Sequence, residues 1–369
     1  MPRNIAPLLL LGLSFSVHAA DTPVVDVKPA GKEPTLRVGG LLQAQAEFGD
    51  RLDSRWDNGN DRFFLRRARI NAQGRFLEEF EFRFEADAAG TLSSTTGLRL
   101  QLTDGYIDWK RYKAASVRVG QFKTPFGYEQ LYPDPRLLTP ERSLPSDRLT
   151  FSRQLGLQVG GELLDGRLSY AAGMFNGNGA NNSGNDNDQF LYAARVAGIL
   201  HRGTLAGKET KLSLGANGFT SHDRAVTVPP EFGFDSTPAT PAVDNVFVGQ
   251  RAGAGLDLQW QIWRFDVWVE ALTVEFEPDN GLPASSFDGS GGYVQAGFFI
   301  VPSRLQAVLK YDTLDPSDEV EDDDQGTWTA GANLLFKNDD IKLQAHYLRS
   351  DVPGGETESK AILRMQVIF

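Results

Sequence analysis

The feature that most constrains this chain is a strict two-residue alternation, clearest from Glu79 to Ala88. Phe80, Phe82, Phe84, Ala86 and Ala88 fall on one face of an extended strand, while Glu79, Glu81, Arg83, Glu85 and Asp87 fall on the other. A helix would scatter both sets around its circumference. The pattern recurs: Leu36, Val38, Gly40, Leu42, Ala44, Ala46 and Phe48 alternate with Arg37, Gln43, Gln45 and Glu47. Phe64, Ala68, Ile70, Ala72 and Phe76 alternate with Arg67, Arg69, Asn71, Gln73 and Arg75, with Arg66 as the one misfit. Farther on, Ala252 to Ile262 and Phe265 to Ala271 repeat it, and the last run sets Ala361, Leu363, Met365, Val367 and Phe369 against Arg364 and Gln366.

These runs predict sixteen strands, near 35–48, 62–76, 78–90, 98–111, 115–124, 152–164, 166–176, 189–201, 209–220, 247–262, 263–275, 291–302, 303–313, 326–337, 340–350 and 358–369. Leu98 to Lys110 changes phase partway, which points to a bulge. No segment after the N-terminus offers eighteen consecutive apolar residues, so helical membrane spans are not expected. Strands of a transmembrane barrel hide half their residues from lipid and keep mean hydropathy low. Basic residues on a lipid face cost roughly 2–4 kcal/mol each at the midplane, so the aromatic face must point outward.

The connections alternate too. Short links at Leu77, Tyr112 to Ala114, Asp165-Gly166, His201 to Lys208, Trp263, Pro302 and Lys337 to Asp339 separate longer polar stretches, the longest being Pro125 to Phe151. Outer-membrane barrels join strands by short periplasmic turns and longer outer loops. An even strand number then places both chain ends in the periplasm. The expected fold is all-β, a sixteen-stranded antiparallel transmembrane β-barrel.

At the N-terminus, Arg3, an apolar stretch from Ile5 to Val17 and small residues at Ala19 and Ala20 read as a secretory signal peptide. The expected organisation is a signal at residues 1–20, a short periplasmic segment at 21–34 and the barrel at 35–369. Removing residues 1–20 takes away Arg3 and no acid, leaving 36 basic and 48 acidic residues and a net charge of −12. That balance argues against nucleic acid, which demands a basic footprint. With no Cys there is neither a thiolate metal site nor a Cys nucleophile, and no cofactor is expected. His201, His222 and His346 are not placed with Ser and a carboxylate in a way that suggests an enzyme, His222 in an outer loop being the one candidate. Asn176 to Asp188 lacks the spaced carboxylates and bidentate Glu of a Ca²⁺ loop.

Several stretches resemble the phosphate-selective porin O and P family. Phe63 to Ile70 looks like its second strand, Asp104 to Lys110 like its fourth, and Arg118 to Gly127 like its fifth with the start of the following loop. Pro140-Glu141-Arg142-Ser143, Gly173 to Gly177 and Ala193 to Val196 follow in family order. The resemblance implies a homotrimeric outer-membrane channel for small anions such as phosphate or polyphosphate, with the third outer loop folded inward to narrow it. It implies outer-membrane lipid and lipopolysaccharide as surroundings. The terminal aromatic Phe369 looks like the signal read by the outer-membrane assembly machinery.

Guanidinium groups facing the lumen offer bidentate donors to phosphate-like oxygens. By strand phase Arg67, Arg69, Arg75, Arg118 and Arg153 are candidates, with Lys123, Arg142 and Arg148 placed to line the constriction. Each could instead pair with an inward acid on a neighbouring strand, as Arg75 could with Glu79 or Glu81. The chain departs from the phosphate-specialised pattern in having few Lys and many inward acids: Glu47, Glu85, Asp87, Glu162, Asp257, Asp266 and Glu270. General or weakly anion-selective diffusion is therefore expected, because a ring of charge selects ions only where its sign is uncompensated.

Overall fold

A computed structural model describes residues 25–27, 34–53, 55–56, 61–89, 100–232, 246–279, 286–354 and 356–369. The signal expected at residues 1–20 lies outside them. No described helix is long and apolar enough to cross a membrane, and the chain is built from strands. A short strand β1 (Val25–Val27) precedes β2 (Thr35–Gly49), β3 (Arg62–Phe76), β4 (Phe80–Asp87), β5 (Gln101–Tyr112), β6 (Ala115–Lys123), β7 (Arg153–Leu163), β8 (Leu168–Phe175) and β9 (Leu191–Leu205). Then come β10 (Lys208–Thr227), β11 (Val246–Ile262), β12 (Phe265–Pro278), β13 (Phe287–Val301), β14 (Leu305–Asp315), β15 (Gln325–Lys337), β16 (Ile341–Val352) and β17 (Glu356–Ile368).

From β2 to β17 every strand pairs antiparallel with its sequence neighbours, and β17 returns to β2 from Lys360 opposite Gly49 to Ile368 opposite Leu41. The sixteen strands therefore form a closed barrel, the only sheet architecture that leaves no unpaired edge in lipid. At the seam Gly40 N–H donates to the Phe369 carbonyl at 2.8 Å and Phe369 N–H donates back at 3.1 Å. A Cβ at Gly40 would stand 2.6 Å from the Phe369 ring, so only glycine lets that ring lie on the strand. β1 pairs with Leu36 to Val38, covering part of β2 beyond the reach of β17.

The alternation emerges as two surfaces. On β17, Arg364 and Gln366 are buried while Leu363 and Met365 stand exposed; on β4, Phe84 is exposed while Glu85 is buried. Two irregularities carry the phase breaks noted in the sequence. Between β2 and β3, Gln43 faces Arg67 but Ala44 faces Leu65, so Arg66 is an extra residue in a bulge. Above it the phase reverses: Phe64 lies opposite the buried Gln45 and Phe63 points outward, 81 % exposed. This corrects the expectation that Phe64 belongs to the outer set. Between β4 and β5, Glu85 faces Asp104 and Ala86 faces Leu102, leaving Thr103 as the bulged residue.

Strand ends also shift. β10 continues to Thr227 and β13 begins at Phe287, so the connections expected from Ser221 and up to Gly291 begin and end inside strands. The link at His201 to Lys208 shrinks to Ala206 and Gly207, both with positive φ. Leu77–Glu78 and Leu164–Asp165 are likewise consecutive positive-φ pairs, the geometry whose twist matches a tight hairpin.

A single charge on the lipid surface tests the two-surface arrangement. Leu363→Arg, near the middle of β17, is expected to destabilise the barrel by about 2–4 kcal/mol, measured by reversible urea unfolding in lipid vesicles. A Leu363→Arg barrel as stable as the wild type would contradict the assignment of faces.

Candidate functional site: a charged wall and a tethered loop

Facing charges on β3 to β7 form a continuous ladder. Arg75 donates to Glu81 at 2.7 Å, Lys110 to Glu81 at 2.7 Å, and Arg118 holds Asp108 with both Nε at 2.7 Å and a terminal nitrogen at 2.9 Å. Arg83 donates to Glu85 at 2.7 Å, Arg153 to Asp104 at 2.8 Å, and Arg69 to Asp87 at 2.8 Å. The register sets these pairs, because Arg75 lies opposite Glu81 and Asp108 opposite Arg118 on the same face. Of the two partners expected for Arg75, Glu81 is taken, while Glu79 meets Arg111 at 3.3 Å.

In the exposed part of this ladder the cation stands nearer to water than its acid. The Arg118 side chain is 25 % exposed against 4 % for Asp108, Arg75 is 54 % against 27 % for Glu81, and Arg62 is 29 % against 3 % for Glu47. The carboxylates sit at the wall and the guanidinium groups project from it. The order reverses at Arg153 and at Arg69 with Asp87.

The connection from β6 to β7 carries two short helices, α1 (Tyr128–Leu131) and α2 (Leu144–Leu149). Cations hold its carbonyls. Lys342 donates to Pro135 at 2.7 Å and to Leu137 at 3.2 Å; Lys310 donates to the Glu141 carbonyl at 3.1 Å; Arg364 donates to the Pro140 carbonyl. Its free amides are taken by acids. Glu270 accepts from the amides of Tyr128 and Glu129, and Asp312 accepts from Leu144 at 2.9 Å, so each helix start meets a carboxylate from the wall. Apolar contacts complete the attachment: Leu137 and Leu138 pack with Trp268, Tyr293 and Val308, and Phe126, Leu144, Leu149 and Phe151 join a buried cluster with Phe219, Phe276 and Phe287.

Two acids of the connection each gather several cations. Asp134 receives Arg69 at 2.7 Å, Arg67 at 3.3 Å and Arg142 at 2.5 Å. Glu141 binds the bulged Arg66 through two hydrogen bonds, at 2.8 and 2.9 Å, and also Arg364. Burial would raise both carboxyls, but Arg142, Arg67, Arg69 and Lys123 outweigh it at Asp134 and hold the group well below the carboxylate range. Arg66 and Arg364 do the same at Glu141.

All eight cations singled out from the sequence thus have protein partners. Arg69, Arg75, Arg118 and Arg153 belong to the ladder. Arg67 joins Asp134 and Gln43, and Arg142 holds Asp134 and the Glu129 carbonyl. Lys123 is spent on the Gln130 and Tyr132 carbonyls, at 2.7 and 3.1 Å, and Arg148 pairs with Glu231 at 3.0 Å. Sequence reasoning missed the tethers Arg66, Lys310, Lys342 and Arg364. Their strand phase marked the last as inward, but nothing in a linear chain says which loop it will meet. His222 approaches Asp279 at 3.3 Å, and among the described residues its other ring nitrogen has no hydrogen-bond partner.

Residues 38–369 match the family model described as phosphate-selective porin O and P. The chain belongs to that family. Porin O of Pseudomonas aeruginosa is 22 % identical over 370 residues, covering 91 % of this chain and 80 % of the relative. OmpT of Vibrio cholerae superposes with a TM-score of 0.62 at 12 % identity, covering 92 % of this chain and 99 % of that one. An anion-selective porin from Comamonas acidovorans gives 0.60 at 12 % identity, over 91 % of this chain and all of that one. At such identities the structures speak to the fold. The porin is a multi-pass β-barrel of the bacterial outer membrane.

The tethers of this porin make a pH statement with a definite sign. The Asp134 and Glu141 carboxyls lie below their unfolded values, so their stabilisation is complete above about pH 5 and fades only as acid carries the pH through the lowered folded values. As far as Asp134 and Glu141 are concerned, single-channel current noise should increase in acid stronger than about pH 5. In Asp134→Asn, which leaves Arg67, Arg69 and Arg142 short of a counter-ion, the noise should already be high at neutral pH.

Proposed function

We propose that this porin is a passive, water-filled channel for small hydrophilic solutes with a modest preference for anions such as phosphate or polyphosphate. The observation that carries the preference is the set-back of the acids: a solute moving along β3 to β6 meets Arg75, Arg118 and Arg62 before Glu81, Asp108 and Glu47. Each paired guanidinium keeps N–H donors beyond those given to its carboxylate, and these can be offered to a passing oxyanion. Strict phosphate selectivity does not fit this lining, because each positive group has an acid close behind it. The phosphate-selective family and the anion-selective porin from Comamonas acidovorans that shares the fold agree with the sign.

We further infer that the connection between β6 and β7 lies within the barrel and narrows the passage, which its bonds to Lys310, Lys342 and Arg364 support. Irregular backbone is tolerated at membrane depth where protein and water satisfy it. The same reading takes residues 1–20 as a cleaved signal, 21–34 as a periplasmic segment, Phe369 as the assembly signal and a homotrimer as the working unit in lipid and lipopolysaccharide. Catalysis has no place in this scheme.

A second reading, unselective diffusion, rests on the pairing of every candidate cation. The reversal potential across a planar bilayer in a potassium chloride gradient separates the two. A potential of the sign for chloride preference is expected, and Arg118→Gln, which leaves Asp108 with Lys110 alone at 3.3 Å, should move it toward cation preference. A wild-type potential of zero would select the unselective channel, and one of cation sign would remove the anion reading while leaving the porin. Phosphate that fails to reduce chloride current would limit the preference to charge alone.

A further inference from the structure

The hairpin between β11 and β12 belongs to the short-turn end of the barrel, the end that outer-membrane barrels direct to the periplasm. Trp263, at the tip of this hairpin, has positive φ and is 53 % exposed. Two cations approach its ring: the Lys208 Nζ at 4.7 Å from the ring centre and the Arg264 guanidinium carbon at 4.9 Å. Both charges therefore lie beside one indole. Phe298 stands 6.1 Å from the same ring and 4.6 Å from the ring of Phe265.

The neighbouring rings belong to the lipid surface. On β12 Phe265 and Val269 are exposed while Trp268 and Glu270 are buried, so Phe265, with Phe298 opposite it, points outward. On β11 Leu256 and Trp260 are exposed while Asp257 is buried, which places Trp260 on the same side. Aromatic rings at this level are what a membrane–water boundary selects. The two charges need a separate account. Among the described residues neither has an acidic partner: Lys208 contacts Trp263, and Arg264 makes one long hydrogen bond, 3.4 Å to the Ile300 carbonyl. Other cations of the same rim are matched, since Arg111, which also lies against an aromatic ring, is 3.3 Å from Glu79, and Lys337 is 3.5 Å from Asp340.

We propose that Lys208, Trp263 and Arg264 form a binding site for an anionic phospholipid of the periplasmic leaflet, with its phosphodiester at the two cations and its acyl chains along Trp260 and Phe265. A zwitterionic lipid would bring its own ammonium to two unmatched positive groups, and a free anion would gain nothing from the outward rings. Lys208 is exposed, so its four-carbon stem lets the ammonium follow the phosphate. The site rests on the outer-membrane barrel and lies outside the lumen, so it is independent of the solute preference argued above.

The test offers the full-length porin in detergent equal amounts of phosphatidylglycerol and phosphatidylethanolamine with the same acyl chains, and native mass spectrometry counts the first lipid retained. Phosphatidylglycerol is expected in about 25-fold excess, because each basic group near a membrane surface contributes about fivefold in affinity for an anionic lipid. Lys208→Gln and Arg264→Gln should each cut that excess by about fivefold, and the double variant should abolish it. Conductance and reversal potential should stay at wild-type values in all three. Glycerol 3-phosphate, a headgroup without chains, should not displace the lipid even in large excess. Equal retention of the two lipids, variants that keep the full excess, or displacement by glycerol 3-phosphate would each overturn the site. Intact conductance in the same preparation keeps that failure distinct from a failure of the porin reading.

Discussion

Hydrocarbon offers the peptide backbone no hydrogen-bond partner, and each group left unpaired there costs several kcal/mol. Everything else in this porin is arranged under that constraint. It forces the strands to close, which makes the seam between β17 and β2 as important as any active site, and it explains why Gly40 is bare enough for Phe369 to lie against it. Closure then sorts side chains into two environments without further instruction, since successive residues of a strand point to opposite sides.

The inner environment is more crowded than a water-filled tube requires. Phe219, Phe276 and Phe287 are buried with apolar residues of the β6 to β7 connection, and Lys310, Lys342, Arg364, Glu270 and Asp312 are buried and bonded to other parts of it. Removing so many charges from water is costly, and only thorough pairing offsets the cost. The charges here serve position: cations meet carbonyls, acids meet amides, and the backbone of an irregular segment obtains from side chains what a strand obtains from its neighbours. Positive groups used in this way have their donors taken by the protein, whereas Arg75 and Arg118 of the ladder project past their acids.

How far the sequence revealed this depends on the range of each interaction. Strand count, closure and the alternation of short and long connections are local or periodic properties, and they could be read from runs such as Glu79 to Ala88. Cross-strand pairs within a hairpin, such as Arg75 with Glu81, were also within reach, because the turn fixes the register. The tethers were not. Arg364 and Glu141 are 223 residues apart, and Asn333 and Leu138 195 apart, and no periodicity connects them. The buried phenylalanines were hidden for a different reason: an aromatic facing lipid and one facing a packed loop look alike in a string of letters.

The bulge at Arg66 shows how unevenly such a wall tolerates changes in length. One additional residue moves Arg66 onto the inner face beside Arg67 and gives the two halves of β3 opposite phases. Loss of Arg66 would let Leu65 follow Arg67 in ordinary alternation, keeping Leu65 and Phe63 outward and Phe64 and Arg62 inward, and would remove only the bond to Glu141. Loss of Leu65 instead would turn Arg66 outward, where a basic side chain costs roughly 2–4 kcal/mol at the midplane. At a bulge the wall can give up its supernumerary residue, while the same deletion one position away turns a charge toward hydrocarbon.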